Sequence, residues 1–239
     1  MVIPDSIRVR KPLPTTVTPE DHINAWLKQD ERISSAPSGP HFEHFEAGIT
    51  DECIMKFDAL SRSLPCQCGF SPAPWREIVD VEILKKAAVC DIEKMRTITL
   101  MHAELNMNNK KLGRDVMQRA TEAGSIAPEQ HGSRPRHMSV TAAGNKRITM
   151  NVIRQRKLAA ALCFNDAKSC YDRIAHNIAA LSLRRQGAPS TAVRSMSPTP
   201  QQANHRIRTA FGLSHSECGK SRYPPLQEVG QGNGAAPTT

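Results

Sequence analysis

The chain has 239 residues, enough for one large or two small cored domains, yet only 39% are hydrophobic and 4% aromatic, a texture that predicts loose packing. Its formal charge is +9, and no acid occurs between Glu129 and Asp166, which points to a polyanionic partner, phosphate backbones first. Seven irregularly spaced cysteines and an N-terminus without an apolar leader argue against a disulfide-built secreted scaffold, and no apolar run has bilayer-spanning length; the expected setting is intracellular, in nucleus or cytoplasm, with no membrane partner.

Thr18-Pro19-Glu20-Asp21 predicts a helix start, with threonine as cap, proline in the first turn and acids at the positive end of the dipole. Ile23, Trp26 and Leu27 are expected on its buried face. "SSAPSGP" (34–40) breaks that helix, a second helix is expected over 50–63, and "LPCQCGFSPAPW" reads as a loop closing an N-terminal extension at 1–68. "IVDVEILKK" and "MRTITL" (95–100) then read as strands. A helix follows over 108–123, burying Leu112, Val116 and Ala120 and stopping at Gly124. Another spans 138–157 despite Gly144.

"LAAALCFN" (158–165) has the character of a buried strand ending at Asp166. Ser169 and Asp172 then form an S-x-x-D helix start, with Ile174, Ile178 and Leu181 along one face and Gly187 as the stop. The prolines of "MSPTPQQ" (196–202) interrupt further helix. A carboxylate where strand gives way to helix is placed to bind a divalent cation through oxygen.

Other site chemistries fit poorly. "GQGNG" (230–234) is GxGxG and not GxGxxG, and "SHSECGKS" has Ser214 where a phosphate loop needs its first glycine. Cys66 and Cys68 lack a second pair at zinc spacing, and His131 and His137 stand too far apart for H-x₃₋₅-H. Cys170 and His176 have no third group to make a thiol nucleophile.

"FNDAKSCYDRI" (164–174) resembles the first catalytic motif of reverse transcriptases of the non-LTR retrotransposon type. "EKMRTITL" is similar to that family's R-x-I-x-L fingers strand, "IAPEQHGSRPRHMS" to its Q-x-G-x-R motif, and "PLQEVGQGNGAAPT" to its Gln-Gly palm motif; "SSAPSGPHFEHFEA" resembles a segment upstream of the fingers. The resemblance implies an α+β fold, an incomplete polymerase right hand with fingers-like residues 69–157 and a partial palm at 158–239. It implies that Asp166 is the catalytic aspartate and a ligand of two Mg2+ ions. Tyr171 would lie under the incoming sugar, Gln231 and Gly232 would face the nucleotide, and Arg96 and Arg134 would counter triphosphate charge. Lys85 and Lys86 are further candidates by proximity alone.

Implied partners are an RNA template, a DNA primer and deoxynucleoside triphosphates, joined by in-line attack between two metals about 4 Å apart. The family also needs an aromatic-x-Asp-Asp hairpin, and these 239 residues contain no Asp-Asp pair. Weak magnesium binding and no polymerisation are therefore expected of this stretch by itself. The alternative is a basic protein that binds nucleic acid without catalysis; a fragment with no function is the third possibility.

Overall fold

A computed structural model describes residues 11–29, 36, 40–85, 91, 94–132, 134, 136–161, 163, 173–196 and 198–219. Its helices are α1 (Pro19–Trp26), α2 (Phe42–Gly48), α3 (Glu52–Cys68), α4 (Ala103–Glu122), α5 (Ser139–Gln155), α6 (His176–Arg185), α7 (Ser190–Met196) and α8 (Pro198–Gln202). The strands are β1 (Glu77–Leu84), β2 (Met95–Leu100), β3 (Asn204–Thr209) and β4 (Gly212–Leu213). The fold is α+β.

α1 begins at its predicted cap. Thr18 Oγ1 accepts the Asp21 N–H at 3.0 Å and the Asp21 carboxylate accepts the Thr18 N–H at 3.2 Å, a reciprocal box that satisfies two otherwise orphaned donors. The buried face is His22, Ala25 and Trp26, whereas Leu27, expected inside, is exposed. Leu27 is the C-cap residue, and one step of the helix carries it about 100° away from Trp26.

α3 also departs from expectation, because it continues through Pro65 to Cys68 instead of ending near residue 63. A proline near a helix end removes one ladder donor, and the end is closed by Gly69 (φ 77°), whose N–H donates to Pro65 O at 2.8 Å. A Cβ on Gly69 would stand 3.2 Å from Arg194 Nε and 3.3 Å from Thr191 Cα, so glycine also permits the close approach of α3 to α7.

α4 is the spine. Leu112 and Val116 join Leu13, Leu183, Ala188, Ala192 and Val193 in one apolar cluster. Ala103 and Met107 join Ala25, Trp26, Phe42 and Phe45 in a second, and Leu105 meets Trp75 and Met101 in a third. Leu112, Val116 and Ala120 are buried as predicted, and Gly124 takes φ 61° after the helix end. In the second cluster Trp26 stacks on Phe45, centroids 4.4 Å apart and planes 8° apart, with Phe42 edge-on at 5.6 Å.

The sheet runs β2-β1-β3-β4, with β1 antiparallel to β2, parallel to β3, and β3 antiparallel to β4. β1 and β2 match the predicted strands. β3 was not anticipated, and its pairing with β1 draws the sheet from both sides of the expected division at residue 157. Gly219 (φ 107°) closes against this strand. A Cβ there would lie 2.5 Å from Ala203 O.

Two further expectations fail. Residues 158–161, the described start of the anticipated buried strand, are exposed and outside any strand. The sheet positions among the described residues are taken by β1 to β4, and without a pairing neighbour an apolar run has no ladder to satisfy its amides. On α6 the buried pair is Ala179 and Leu183, while Ile178 and Leu181 are exposed. The stripe is set one to two positions further along by the packing of Leu183 into the cluster of Leu112 and Val193. Gly187 (φ 98°) does end this helix, whereas Ser169 and Asp172 lie outside the described residues.

Trp26→Ala is expected to lower unfolding free energy by about 3–5 kcal/mol, while Leu27→Ala stays within about 0.5 kcal/mol. Urea denaturation of the two variants checks the assignment of the buried face.

Candidate functional site

Of the residues assigned by resemblance, Asp166, Tyr171, Gln231 and Gly232 lie outside the described residues, as does Lys86. Arg96 and Arg134 are described and do very different things. Arg134, between α4 and α5, turns Nη1 onto the backbone carbonyls of Ala127, Pro128 and Gln130 at 3.0, 3.3 and 3.2 Å. It thereby shapes the turn at 127–130. Arg96 stands exposed on β2, paired in register with Ile83, and takes part in none of the ion pairs among the described residues.

The strand register places Arg96 on a definite face. Side chains alternate along a strand, and directly paired residues share a side. One face carries the Thr97–Glu82 hydrogen bond at 2.8 Å and the His205–Asp80 ion pair at 2.7 Å. The other carries Arg96 opposite Ile83, then the row Ile98–Val81–Arg208–Leu213, then Leu100–Val79–Arg206. Arg206 is neutralised by Glu217 at 2.8 Å, but Arg208 is exposed and, like Arg96, joins no ion pair among the described residues. In the sequence Arg208 belongs to a basic stretch, Arg173 to Arg222, whose one acid is Glu217. Its alternation with Ile207 was the available signal, and its place beside Arg96 needs the β1–β3 register.

The second basic feature is α5. None of its residues is buried, and Lys146, Arg147 and Arg154 project from it within the acid-free interval. Arg147 and Arg154, seven residues apart, share one side, and Ile148 and Val152 lie on another. Its end is closed by Lys157 in the left-handed region (φ 51°), with Leu158 N–H donating to Ile153 O at 3.0 Å. A helix without a buried face keeps only its propensity and caps for stability.

The perturbed titratable groups lie elsewhere, where α1, α3 and α4 meet. Arg62 is 1% exposed; its Nε donates to Asn108 Oδ1 at 3.2 Å, Nη1 approaches His22 Nδ1 at 3.4 Å, and its guanidinium sits 5.4 Å from the Trp26 ring centre. Burial pulls its pKa down to about 10, with Glu104 and Asp21 working against that. Trp26 Nε1 also donates to His22 Nδ1, at 3.3 Å. With donors facing Nδ1, His22 is the neutral Nε2–H tautomer. Burial, and then the Arg62 charge, push its pKa down to about 4. Burial raises the Glu104 carboxyl, offset in part by the Trp75 indole and Arg62.

Perturbed groups often mark active sites, but this cluster is closed. A shallow cleft beside it, lined by Pro14, Cys66, Trp75, Asn108 and Lys111, has a lysine occupied by Asp115 at 2.8 Å and a Cys66 thiol pushed up by burial. No thiolate or free base is offered there. Among the described residues no group of three or more His, Cys, Asp or Glu could hold a metal ion, and no helix is long and apolar enough to cross a membrane.

No family model matches the chain, and no curated protein matches its sequence.

His22 makes the buried junction pH-sensitive. With a folded pKa of about 4 against an unfolded value near 6.5, the unfolded chain takes up the proton first. The stabilisation is complete above pH 6.5 and is lost as pH falls toward 4, on the order of 3 kcal/mol. Glu104, with its raised pKa, acts in the opposite sense at the acid end. Denaturation across pH 4–7 should show the loss, and His22→Gln should flatten it.

Proposed function

We propose that this chain is part of a reverse-transcriptase-like module whose polypeptide grips nucleic acid. The observation that carries the reading is the succession from β1 through β2 into α4. The Arg96-x-Ile98-x-Leu100 strand is paired along its length and leads within three residues into a 20-residue helix, as the fingers resemblance requires. An exposed basic helix and two sheet arginines that join no ion pair among the described residues add the electrostatics that phosphate backbones need.

In this reading RNA template and DNA primer are the partners and deoxynucleoside triphosphates the substrates. Asp166 is a ligand of magnesium, Tyr171, Gln231 and Gly232 line the nucleotide, and Arg96 and Arg134 lie on the phosphate side. Joining a nucleotide to a primer end is an in-line displacement at phosphorus, for which two metals clamp the attacking and leaving oxygens. One aspartate does not complete such a site, and no Asp-Asp pair occurs in these 239 residues. Binding without catalysis is thus the activity proposed for this stretch by itself. α5, none of whose residues is buried, favours the same outcome under the second reading, a non-catalytic nucleic-acid-binding protein.

Affinity for single-stranded RNA should fall with salt at a logarithmic slope of about −3, corresponding to about four phosphate contacts. Asp166→Ala should leave that affinity unchanged, and primer extension with magnesium should yield no product. Reading the coding sequence beyond Thr239 separates the two proposals. An aromatic-x-Asp-Asp within a few dozen codons supports the polymerase, and its absence in every frame leaves only the binding protein. Absence of salt-dependent binding overturns both.

A further inference from the structure

At the far end of the sheet exposed apolar side chains stand on both faces. Ile83, Leu84, Ile207 and Leu213 are all exposed there, and the β3–β4 hairpin ends in Phe211, whose side chain is 101% exposed. The hairpin loop is two residues, Ala210 and Phe211, with Thr209 paired to Gly212 and the Phe211 N–H donating to Thr209 Oγ1 at 3.2 Å. Gly212 takes φ 130°, which lets so short a loop close. The ring is therefore held at the tip of a defined turn. Several exposed apolar side chains gathered at one end of a sheet mark an interaction site more often than a single exposed residue does.

Charge identifies the occupant. On the face of Val81, Ile83, Ile98 and Leu213 stand Arg96, one strand to one side of β1, and Arg208, one strand to the other. Their Cα atoms are about 12 Å apart, from two strand spacings across and two residues along. The acids of the region do not answer them: Glu217 is taken by Arg206, while Glu82 and Asp80 lie on the opposite face, bonded to Thr97 and His205. A lipid surface would need an apolar face continuous with its cationic rim on one long element, whereas this surface is a narrow ribbon with its aromatic at the end. An exposed ring near arginines that join no ion pair among the described residues fits a polymer that alternates flat π-faces with phosphates.

We propose that this end of the sheet is a docking platform for single-stranded nucleic acid, with a base stacked on Phe211 and the neighbouring phosphates on Arg208 and Arg96. The inference rests on the polyanion-binding reading above and adds to it a place and a strandedness. Duplexes hide their base faces, so the ring can add nothing to their binding, whereas any unpaired base offers a face to it.

The test is fluorescence anisotropy of the full chain with a 12-nucleotide mixed-sequence RNA, single-stranded and as its duplex, over a salt series. Phe211→Ala should weaken single-strand binding about 5- to 50-fold without changing duplex binding, the salt slope or the unfolding temperature. Arg208→Ala should reduce the magnitude of the slope by about 0.7, the loss of one phosphate contact. Phe211→Trp should keep the affinity and show indole quenching when RNA is added. If Phe211→Ala and Arg208→Ala bind as the parent does while Arg147→Ala/Arg154→Ala loses affinity, the platform is refuted and the polyanion reading stands. If the parent chain binds no nucleic acid, both fall. If Phe211→Ala abolishes self-association in sedimentation and leaves RNA binding intact, the face is a contact between copies and the proposal is overturned.

Discussion

A buried guanidinium holds the helical part of this protein together. Arg62 enters from α3 at the point where α1 and α4 meet, and Asn108, His22 and Trp26 around it make a charge out of water tolerable. Asn108 offers its oxygen to Arg62 Nε and returns a hydrogen bond from Nδ2 to the Arg62 carbonyl at 2.8 Å. Trp26 supplies a π-face, and that same ring is the centre of the aromatic cluster with Phe42 and Phe45. His22 must stay neutral for its Nδ1 to accept from Trp26 and Arg62. One cation thus fixes the rotamers of three elements and, through α4, the position at which the polypeptide turns toward the sheet.

Rigidity and exposure are divided accordingly. In the first half of β1 Ile78 and Val79, on opposite faces, are buried, while its last residues, Ile83 and Leu84, emerge into solvent. The exposed basic surfaces, α5 and the outer sheet, lie away from the Arg62 junction in its contacts and its chemistry. At the buried junction Arg62, Asn108, Trp26 and His22 bond to one another, whereas on the sheet Arg96 and Arg208 join no ion pair among the described residues.

Local signals were legible in the sequence wherever local physics decides. The Thr18 capping box, the alternation of "MRTITL", the Leu112–Val116–Ala120 stripe and the glycine stops at 124 and 187 depend on residues within one or two turns of each other. What escaped depends on partners far along the chain. Pro65 stays helical because Gly69 closes the helix against α7, and the α6 stripe shifts because its neighbour is the cluster around Leu112. β3 is short, and its alternation of Ile207 between Arg206 and Arg208 resembles any exposed basic loop until β1 supplies the register. Of the candidate site residues, Arg96 and Arg134 have a place in the fold, while Asp166, Tyr171, Gln231 and Gly232 lie outside the described residues.

The parallel pairing of β1 with β3 also sets an order of events during synthesis. Five β1 residues, Glu77 to Val81, find their second-edge partners only at Asn204 to Arg208, more than 120 residues later. Until those have left the ribosome, β1 and β2 form a two-stranded ribbon with an open, apolar edge of Ile78, Val79 and Val81, the kind of edge that recruits foreign strands. The pairing is non-local and closes a large loop, so it forms slowly. Translation therefore leaves a long interval in which that edge of β1 lacks the strand that covers it in the folded sheet.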